Sequence, residues 1–129
     1  MIQFDGVWKS FRGQSALKGV SLSVGDGDAV LLTGPSGAGK STLLRLVFAA
    51  ERPDRGELSV AGRNLARLSD ASIPYVRRNI GVVFQDFKLL GERSARDNVG
   101  MPLEILGLSR RDVIARAEAA LDAVGLAAR

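Results

Sequence analysis

The amino-acid sequence predicts an α/β fold with parallel core strands, and three adjoining segments carry that prediction. Residues 29–33 (Ala-Val-Leu-Leu-Thr) and residues 80–84 (Ile-Gly-Val-Val-Phe) are short, nearly continuous apolar runs. Such runs are typical of strands that are buried on both faces of a parallel sheet. A glycine-rich loop follows the first run directly and leads into a helical segment at residues 42–50. Strand, loop and helix in this order form the repeating unit of α/β proteins.

Two further strands are predicted ahead of this unit, and both have the pattern of antiparallel strands. The first begins at Ile2. In the second, Val20, Leu22 and Val24 alternate with serines, which is the period of a half-buried strand. Residues 25–28 (Gly-Asp-Gly-Asp) have the composition of a turn, because glycine tolerates positive φ and aspartate bonds to nearby backbone.

After the first helix the sequence alternates short elements with breaks. Pro53 and Gly56 end the helical segment, and residues 57–60 are expected to form a short strand. Ser69 or Asp70 is placed to cap a short helix that runs to about residue 78.

Two helices are predicted near the end of the sequence. The first covers residues 98–106, with Pro102 near its start, where a missing N–H costs little. The second begins at Ser109 with Asp112 three residues later, and Gly125 ends it.

Composition excludes several classes of chemistry. Among 129 residues there is neither cysteine nor histidine, so disulfides, thiolate metal sites, cysteine nucleophiles and histidine-based triads are excluded. The net charge is +4, but the charges are mixed: residues 1–64 contain 8 basic and 6 acidic residues, and residues 65–129 contain 10 and 8. Without a basic cluster or interleaved aromatic residues, we expect no nucleic-acid partner. No apolar run reaches the length of a membrane span, and the first residues lack a signal-peptide pattern.

The motif that carries chemistry lies between the strand at 29–33 and the following helix. It satisfies G-x-x-x-x-G-K-[ST] with the residues Gly34, Pro35, Ser36, Gly37, Ala38, Gly39, Lys40 and Ser41. Glycines let successive main-chain N–H groups point inward, and the helix N-terminus adds partial positive charge. The ammonium of Lys40 then faces the β- and γ-phosphates, and the Ser41 hydroxyl supplies a ligand to Mg²⁺. The sequence therefore predicts a phosphate-binding loop for a nucleoside triphosphate.

The amino-acid sequence of this region resembles that of one protein family. Residues 34–44 (GPSGAGKSTLL), together with Val7-Trp8-Lys9-Ser10-Phe11 and residues 17–22, are similar to the ATP-binding subunits of ABC transporters. The resemblance implies that Phe11 stacks on adenine, and that Thr42 joins the loop residues 34–41 in binding ATP. It also implies that Gln85, 45 residues after Lys40, is the mobile-loop glutamine that reaches Mg²⁺ and the attacking water. Lys40 and Gln85 are then the catalytic candidates, and Ser41 and Gln85 the metal ligands.

Residues 73–90 resemble one branch of that family, whose ATP-binding subunit pairs with a membrane protein in bacterial cell division. The Gln-Asp-Phe-Lys-Leu-Leu wording at 85–90, followed by Arg93, Asp97-Asn98-Val99 and Pro102, favours this branch over subunits of lipoprotein release or macrolide export. The resemblance implies a transmembrane partner subunit, an ATP-dependent homodimer, and a peripheral position on the cytoplasmic face of the membrane, with the septum as its site. For Arg77, Arg78, Asp86 and Lys88, a functional role and plain solvent exposure both stay open.

The family pattern is incomplete in this sequence. It contains no Leu-Ser-Gly-Gly signature, no apolar strand followed by Asp-Glu and no switch histidine. We therefore expect an N-terminal portion of a longer subunit, divided into a region at 1–85 with the loop and the glutamine strand, and the start of a helical subdomain at 86–129. Such a chain should bind ATP and Mg²⁺ without efficient hydrolysis, and its parallel sheet should lack flanking strands. A subunit of a true transporter and a non-catalytic nucleotide-binding or interaction fragment remain the alternatives.

Overall fold

The computed structural model describes residues 1–126 and contains two compact units. The first covers Met1–Val82, and the second covers Val83–Arg129, of which the structure describes the part up to Leu126. The first unit contains all of the β-structure and the second contains the two longest helices of the described chain. None of the helices in residues 1–126 is long and apolar enough to cross a membrane.

The first unit is built on a four-stranded antiparallel sheet. Its strands are β1 (Ile2–Phe11), β2 (Gln14–Val24), β3 (Arg55–Val60) and β4 (Arg63–Asn64), in the order β2-β1-β3-β4. The two strands predicted ahead of the loop are thus confirmed as an antiparallel pair. Arg12 and Gly13 join them with φ of 48° and 82°, the two positive values that a tight type I′ hairpin turn requires.

One face of this sheet packs against the helix that follows the glycine loop. This helix, α1, covers Lys40–Val47, and its Leu46 is completely buried. After the sheet, two 3₁₀ turns (Leu65–Arg67 and Asp70–Ser72) precede helix α2 (Ile73–Arg77). Val76 of α2 belongs to the same core. The apolar side chains that fill this core are Phe4, Val7, Leu17, Leu46, Ala49, Leu58, Val60, Leu65 and Val76.

The second unit is a pair of helices that follow a segment without regular structure. Helix α3 covers Ala95–Ile105 and α4 covers Arg110–Ala123. Each begins at a serine whose hydroxyl accepts a bond from the N–H three residues on: Ser94 from Asp97 (3.1 Å), and Ser109 from Asp112 (3.2 Å). The start predicted at Ser109 is therefore confirmed. At Gly100, a β-carbon would approach Val113 Cγ1 to 2.8 Å, so the absent side chain lets α3 and α4 pack closely.

The predicted helix at 98–106 is wrong at its start. The structure begins α3 at Ala95, because Ser94 supplies the cap, and Pro102 lies inside the helix. The side chain of Asn98 turns back to the preceding loop, where it accepts a bond from Leu90 N–H at 2.8 Å. It also donates to three main-chain oxygens of that loop, those of Leu90, Arg93 and Ser94. Asn98 therefore joins the loop to the helix.

The two strands predicted at residues 29–33 and 80–84 are absent. Neither segment is a strand of a sheet, and the sheet contains no parallel strands within residues 1–126. A strand exists only through hydrogen bonds to a neighbouring strand, so an apolar run without a neighbour remains irregular. Most of their side chains are exposed, with Leu31 at 87% and Val83 at 99%, while Ile80 is half-buried against the core.

Two glycines with similar backbone angles provide a test of how closely β1 and β3 approach. Gly56 has φ of 83°, and a β-carbon there would lie 2.3 Å from the carbonyl oxygen of Gly6. Gly62 has φ of 75°, and a β-carbon placed there would have nothing within 4 Å.

We expect Gly62→Ala to lower the free energy of unfolding by about 1–2 kcal/mol through its backbone angle alone. Gly56→Ala should cost roughly 1–3 kcal/mol more, because main-chain atoms have to move.

Urea unfolding of the two variants measures this difference, and equal losses at the two positions would contradict the close approach of β1 and β3. Because both variants carry the same substitution at a positive φ, the comparison isolates the steric contribution.

Candidate functional site: the glycine-rich loop and its surroundings

The loop at residues 34–39 ends where α1 begins. Gly34, Gly37 and Gly39 have φ of 144°, 82° and 90°, values that residues with a β-carbon rarely adopt. Gly39 is the N-cap residue, and helical geometry starts at Lys40. The helix therefore does not run across the glycines, and the chain curls ahead of it.

The helix start leaves main-chain donors facing the loop. The N–H groups of Lys40, Ser41 and Thr42 lie in the first turn, where an α-helix provides no acceptor for them. Within residues 1–126, the main-chain bonds of this region are Ala38 N–H to Pro35 oxygen at 3.2 Å and Leu43 N–H to Gly39 oxygen at 2.9 Å. N–H groups at a helix start, together with the positive end of the helix dipole, can attract an anion.

The side chain of Lys40 lies across the loop. Its ammonium donates to the carbonyl oxygens of Gly34 at 2.7 Å and Pro35 at 2.8 Å. An ammonium has three N–H donors, so one remains beyond these two bonds. Two uncharged carbonyl oxygens thereby hold the ammonium at the loop. A negatively charged ligand could replace them as its hydrogen-bond partner.

Gly39 lies directly against β2. A β-carbon at this position would be 2.5 Å from the carbonyl oxygen of Ala16 and 2.9 Å from Leu17 Cδ2. Sequence reasoning missed Ala16 and Leu17 as supports of the loop, since the contact joins residues more than twenty positions apart and leaves no local pattern. The loop is therefore positioned by the sheet as well as by its own glycines.

Arg77 binds the opposite end of α1. Its Nε donates to the Phe48 oxygen at 3.2 Å and its Nη2 to the Ala49 oxygen at 3.0 Å. A cation at the helix C-terminus satisfies carbonyl groups left without partners and opposes the negative end of the helix dipole. For Arg77, the structure therefore supplies a specific contact where the sequence left its role open.

Phe11 is the last residue of β1, and its side chain is 37% exposed. The ammonium of Lys9 lies 5.3 Å from the centre of its ring. Lys9 in turn contacts Asp54 Oδ1 at 3.1 Å, and Asp54 Oδ2 accepts a bond from Ser10 N–H at 2.7 Å. These two bonds, that from Ser10 first, lower the pKa of the Asp54 carboxyl.

Gln85 lies in the second unit, which begins at Val83. It occupies a turn closed by Phe87 N–H and the Phe84 oxygen at 3.2 Å, and its side chain is exposed. Beside it, an ion pair with Lys88 at 2.6 Å lowers the pKa of Asp86. Residues 34–42 thus lie together in the first unit, and Gln85 lies in the second.

The donor groups of the loop suit one kind of metal ion. Among the described residues, no group of three or more acidic side chains could hold a metal by itself. Ser41 offers an exposed hydroxyl in the first turn of α1. A single hydroxyl fits Mg²⁺, which keeps several waters and binds through few protein ligands plus substrate phosphates.

Comparison with known proteins identifies the class. The ABC transporter family matches residues 17–129, so the chain belongs to that family. In agreement, the backbone is similar to two solved structures of one ATP-binding cassette, each with a TM-score of 0.87 over 95% of this chain and 56% of the other. One is a dimeric post-hydrolysis state bound to ADP and Pi, at 32% identity, and the other a dimeric bacterial ABC transporter cassette, at 34%. The predicted fold class is thereby confirmed.

Within this family, the chain is similar to the cell division ATP-binding protein FtsE. Identity is 46% over 127 residues with FtsE of Escherichia coli K12, 44% over 122 residues with that of Streptococcus pneumoniae D39, and 40% over 127 residues with that of Bacillus subtilis 168. These matches cover 95–98% of this chain but 53–57% of the relatives. The chain thus spans a little over half the length of the curated relatives it matches.

The contact between Gly39 and β2 can be tested inside the loop itself. Gly37 and Gly39 have similar positive φ, but nothing lies within 4 Å of a β-carbon placed at Gly37. We expect Gly39→Ala to destabilise the chain by roughly 1–3 kcal/mol more than Gly37→Ala, because only the former forces α1 away from Ala16. Thermal unfolding without nucleotide measures the effect, and equal melting temperatures for the two variants would show that β2 does not support the loop.

The lowered pKa of Asp54 gives a pH dependence of stability. A carboxyl with a depressed folded-state pKa contributes stability above its unfolded pKa of about 3.9, and the contribution is lost as pH falls through the folded value. Asp54→Asn should therefore lower the melting temperature by a constant amount between pH 5 and 7, and the difference from wild type should shrink toward pH 3.

Glu92→Gln is the control, since it removes the same charge from an exposed side chain that has no ion pair with another described residue. A difference for Asp54→Asn that does not change with pH, or that matches the control, would count against the bonds from Ser10 and Lys9.

Proposed function

We propose that this chain binds the polyphosphate of ATP, together with Mg²⁺, through residues 34–42. The observation that carries the proposal is the position of the Lys40 ammonium, 2.7 and 2.8 Å from two loop oxygens, immediately before the N–H groups of the α1 start. Main-chain donors, a helix N-terminus and a fixed positive charge are the three features that bind phosphate groups.

Each residue of the loop then has a role. Gly34, Gly37 and Gly39 allow the curled backbone, and Ala38 holds the turn of the loop through its N–H bond to the Pro35 oxygen at 3.2 Å. The main-chain N–H groups of Ser36, Gly37 and residues 39–42, the last of which is Thr42, surround the phosphates. Pro35 supplies one of the two oxygens that accept a bond from the Lys40 ammonium. On binding, the ammonium of Lys40 moves from these oxygens to the terminal phosphates. Ser41 and Gln85 are proposed as ligands of Mg²⁺, which neutralises phosphate charge when bound.

The rest of the proposed site lies outside the loop. Phe11 is proposed to stack on the adenine, in keeping with its exposed ring at the end of β1. Gln85 is proposed to orient water and to transmit a change at the nucleotide to the segment beyond it, in keeping with its place in an exposed turn. A division into residues 1–85 and 86–129 is part of this proposal; the boundary between the compact units lies close to it, after Val82.

For the biological role, we propose an ATP-binding subunit of a cell-division complex. The similarity to FtsE over 98% of the chain supports this role. The subunit would work with an FtsX-like transmembrane partner on the cytoplasmic face of the membrane at the septum, and would form an ATP-dependent homodimer like the dimeric cassettes. Binding energy would couple dimer closure to the partner.

The same family also supports a second candidate, a nucleotide-binding subunit of a true transporter.

The chain of 129 residues contains no Asp-Glu pair after an apolar strand and no Leu-Ser-Gly-Gly segment. We therefore propose that this chain by itself holds ATP and Mg²⁺ with little hydrolysis, because phosphoryl transfer depends on groups that orient the water. Phosphate release at the rate of a complete family member would contradict this part of the proposal.

Thermal unfolding with MgATP tests nucleotide binding directly. A ligand that binds only the folded state stabilises it, by about 2.7 kcal/mol at a hundred times its dissociation constant. We expect wild type to melt at a higher temperature with MgATP, and Lys40→Ala to lose most of that shift. Lys18→Ala is the matched control, because Lys18 is an exposed lysine on β2 outside the loop motif, and its ammonium forms no ion pair with another described residue. An equal shift in all three proteins, or none in wild type, would overturn the proposal.

A further inference from the structure

The ammonium of Lys9 is placed unusually for a charged group on a strand. It lies 5.3 Å from the centre of the Phe11 ring, and only 12% of the Lys9 side chain is exposed. Lysine side chains ordinarily extend so that the ammonium stays in water. Here the cation is held against an aromatic ring, at a distance where the two attract each other.

Two carboxylates that follow α1 hold the ammonium in this position. Asp54 Oδ1 lies 3.1 Å from Lys9 Nζ, and Glu51 Oε2 lies 3.6 Å from it. Asp54 is itself fixed to β1 at two points, because its Oδ2 accepts from Ser10 N–H at 2.7 Å and its own N–H donates to the Trp8 oxygen at 2.9 Å. Lys9 therefore has little freedom to leave the ring.

The arrangement also links the ring to the helix that starts at the phosphate-binding loop. Glu51 N–H donates to the Arg45 oxygen at 3.3 Å, which places this carboxylate directly after the end of α1. The contacts run from α1 through Glu51 to Lys9 and from Lys9 to Phe11. A simple surface ion pair would need neither the burial of Lys9 nor the ring.

We propose that Lys9 is a positioning residue that holds the Phe11 ring for a nucleotide base. The inference depends on the proposed binding of ATP. The ammonium occupies one side of the ring and leaves its exposed part to stack on adenine. A ring that is already fixed loses less conformational freedom on binding, so the base is bound more tightly than by a ring that turns freely. A contact of this kind is worth about two- to five-fold in affinity.

Calorimetric titration of the 129-residue chain with two ligands tests the proposal. MgATP carries the base, whereas magnesium tripolyphosphate presents the phosphates alone. We expect Lys9→Met to weaken MgATP about two- to five-fold and to leave the affinity for tripolyphosphate unchanged. Lys9→Arg, which keeps a cation for the ring, should restore MgATP binding, and Lys18→Met should change neither ligand.

The outcomes separate this inference from the proposed function. Wild type that binds neither ligand overturns the proposed function, and this inference with it. Wild type that binds both, with Lys9→Met altering both equally or neither, overturns the role of Lys9 alone. An unchanged MgATP affinity in Phe11→Leu also overturns it. If Lys9→Met does not fold, the double variant Glu51→Gln and Asp54→Asn replaces it, since both carboxylates that hold the ammonium are then lost, and the same selective loss of MgATP affinity is required.

Discussion

The approach of Gly39 to the main chain of β2 is the contact on which the geometry of the candidate site depends. No side chain fits between Gly39 and Ala16, and the positive φ at Gly39 turns the chain from the loop into α1. The sheet thereby fixes where the helix begins. Since the N–H groups of the first turn point along the helix axis, it also fixes where a phosphate would be bound. The positions of these main-chain N–H groups therefore depend on the position of helix α1.

Helix α1 connects the parts of the first unit. Its N-terminus meets the glycine loop, its Leu46 fills the core under the sheet, and Arg77 binds its C-terminal carbonyl groups. The residues after it reach β1 through Glu51 and Asp54. A short helix of eight residues is marginal alone, so these contacts supply most of its stability. The loop, the core and the neighbourhood of Phe11 thus depend on one element.

The exposed apolar segments show that an apolar sequence forms a β-strand only when it can hydrogen-bond to a neighbouring strand. Residues 29–33 in the first unit and residues 83–90 in the second are rich in large apolar side chains, and most of them face solvent. Buried parallel strands have this composition, but composition supplies no partner for their N–H and C=O groups. The chain matches ATP-binding cassettes over 56% of their length. The prediction of strands rested on the continuous apolar runs, and neither run joins a sheet within residues 1–126.

The sequence by itself determined the features that are local along the chain. The loop motif before α1 and the serine cap at Ser109 both follow from residues within a few positions of one another, which is the range over which turn and cap chemistry acts. Only the tertiary structure decided what joins distant residues. Gly39 against Ala16, Arg77 on the end of α1 and Lys9 beneath Phe11 between two carboxylates depend on packing, which no local pattern encodes.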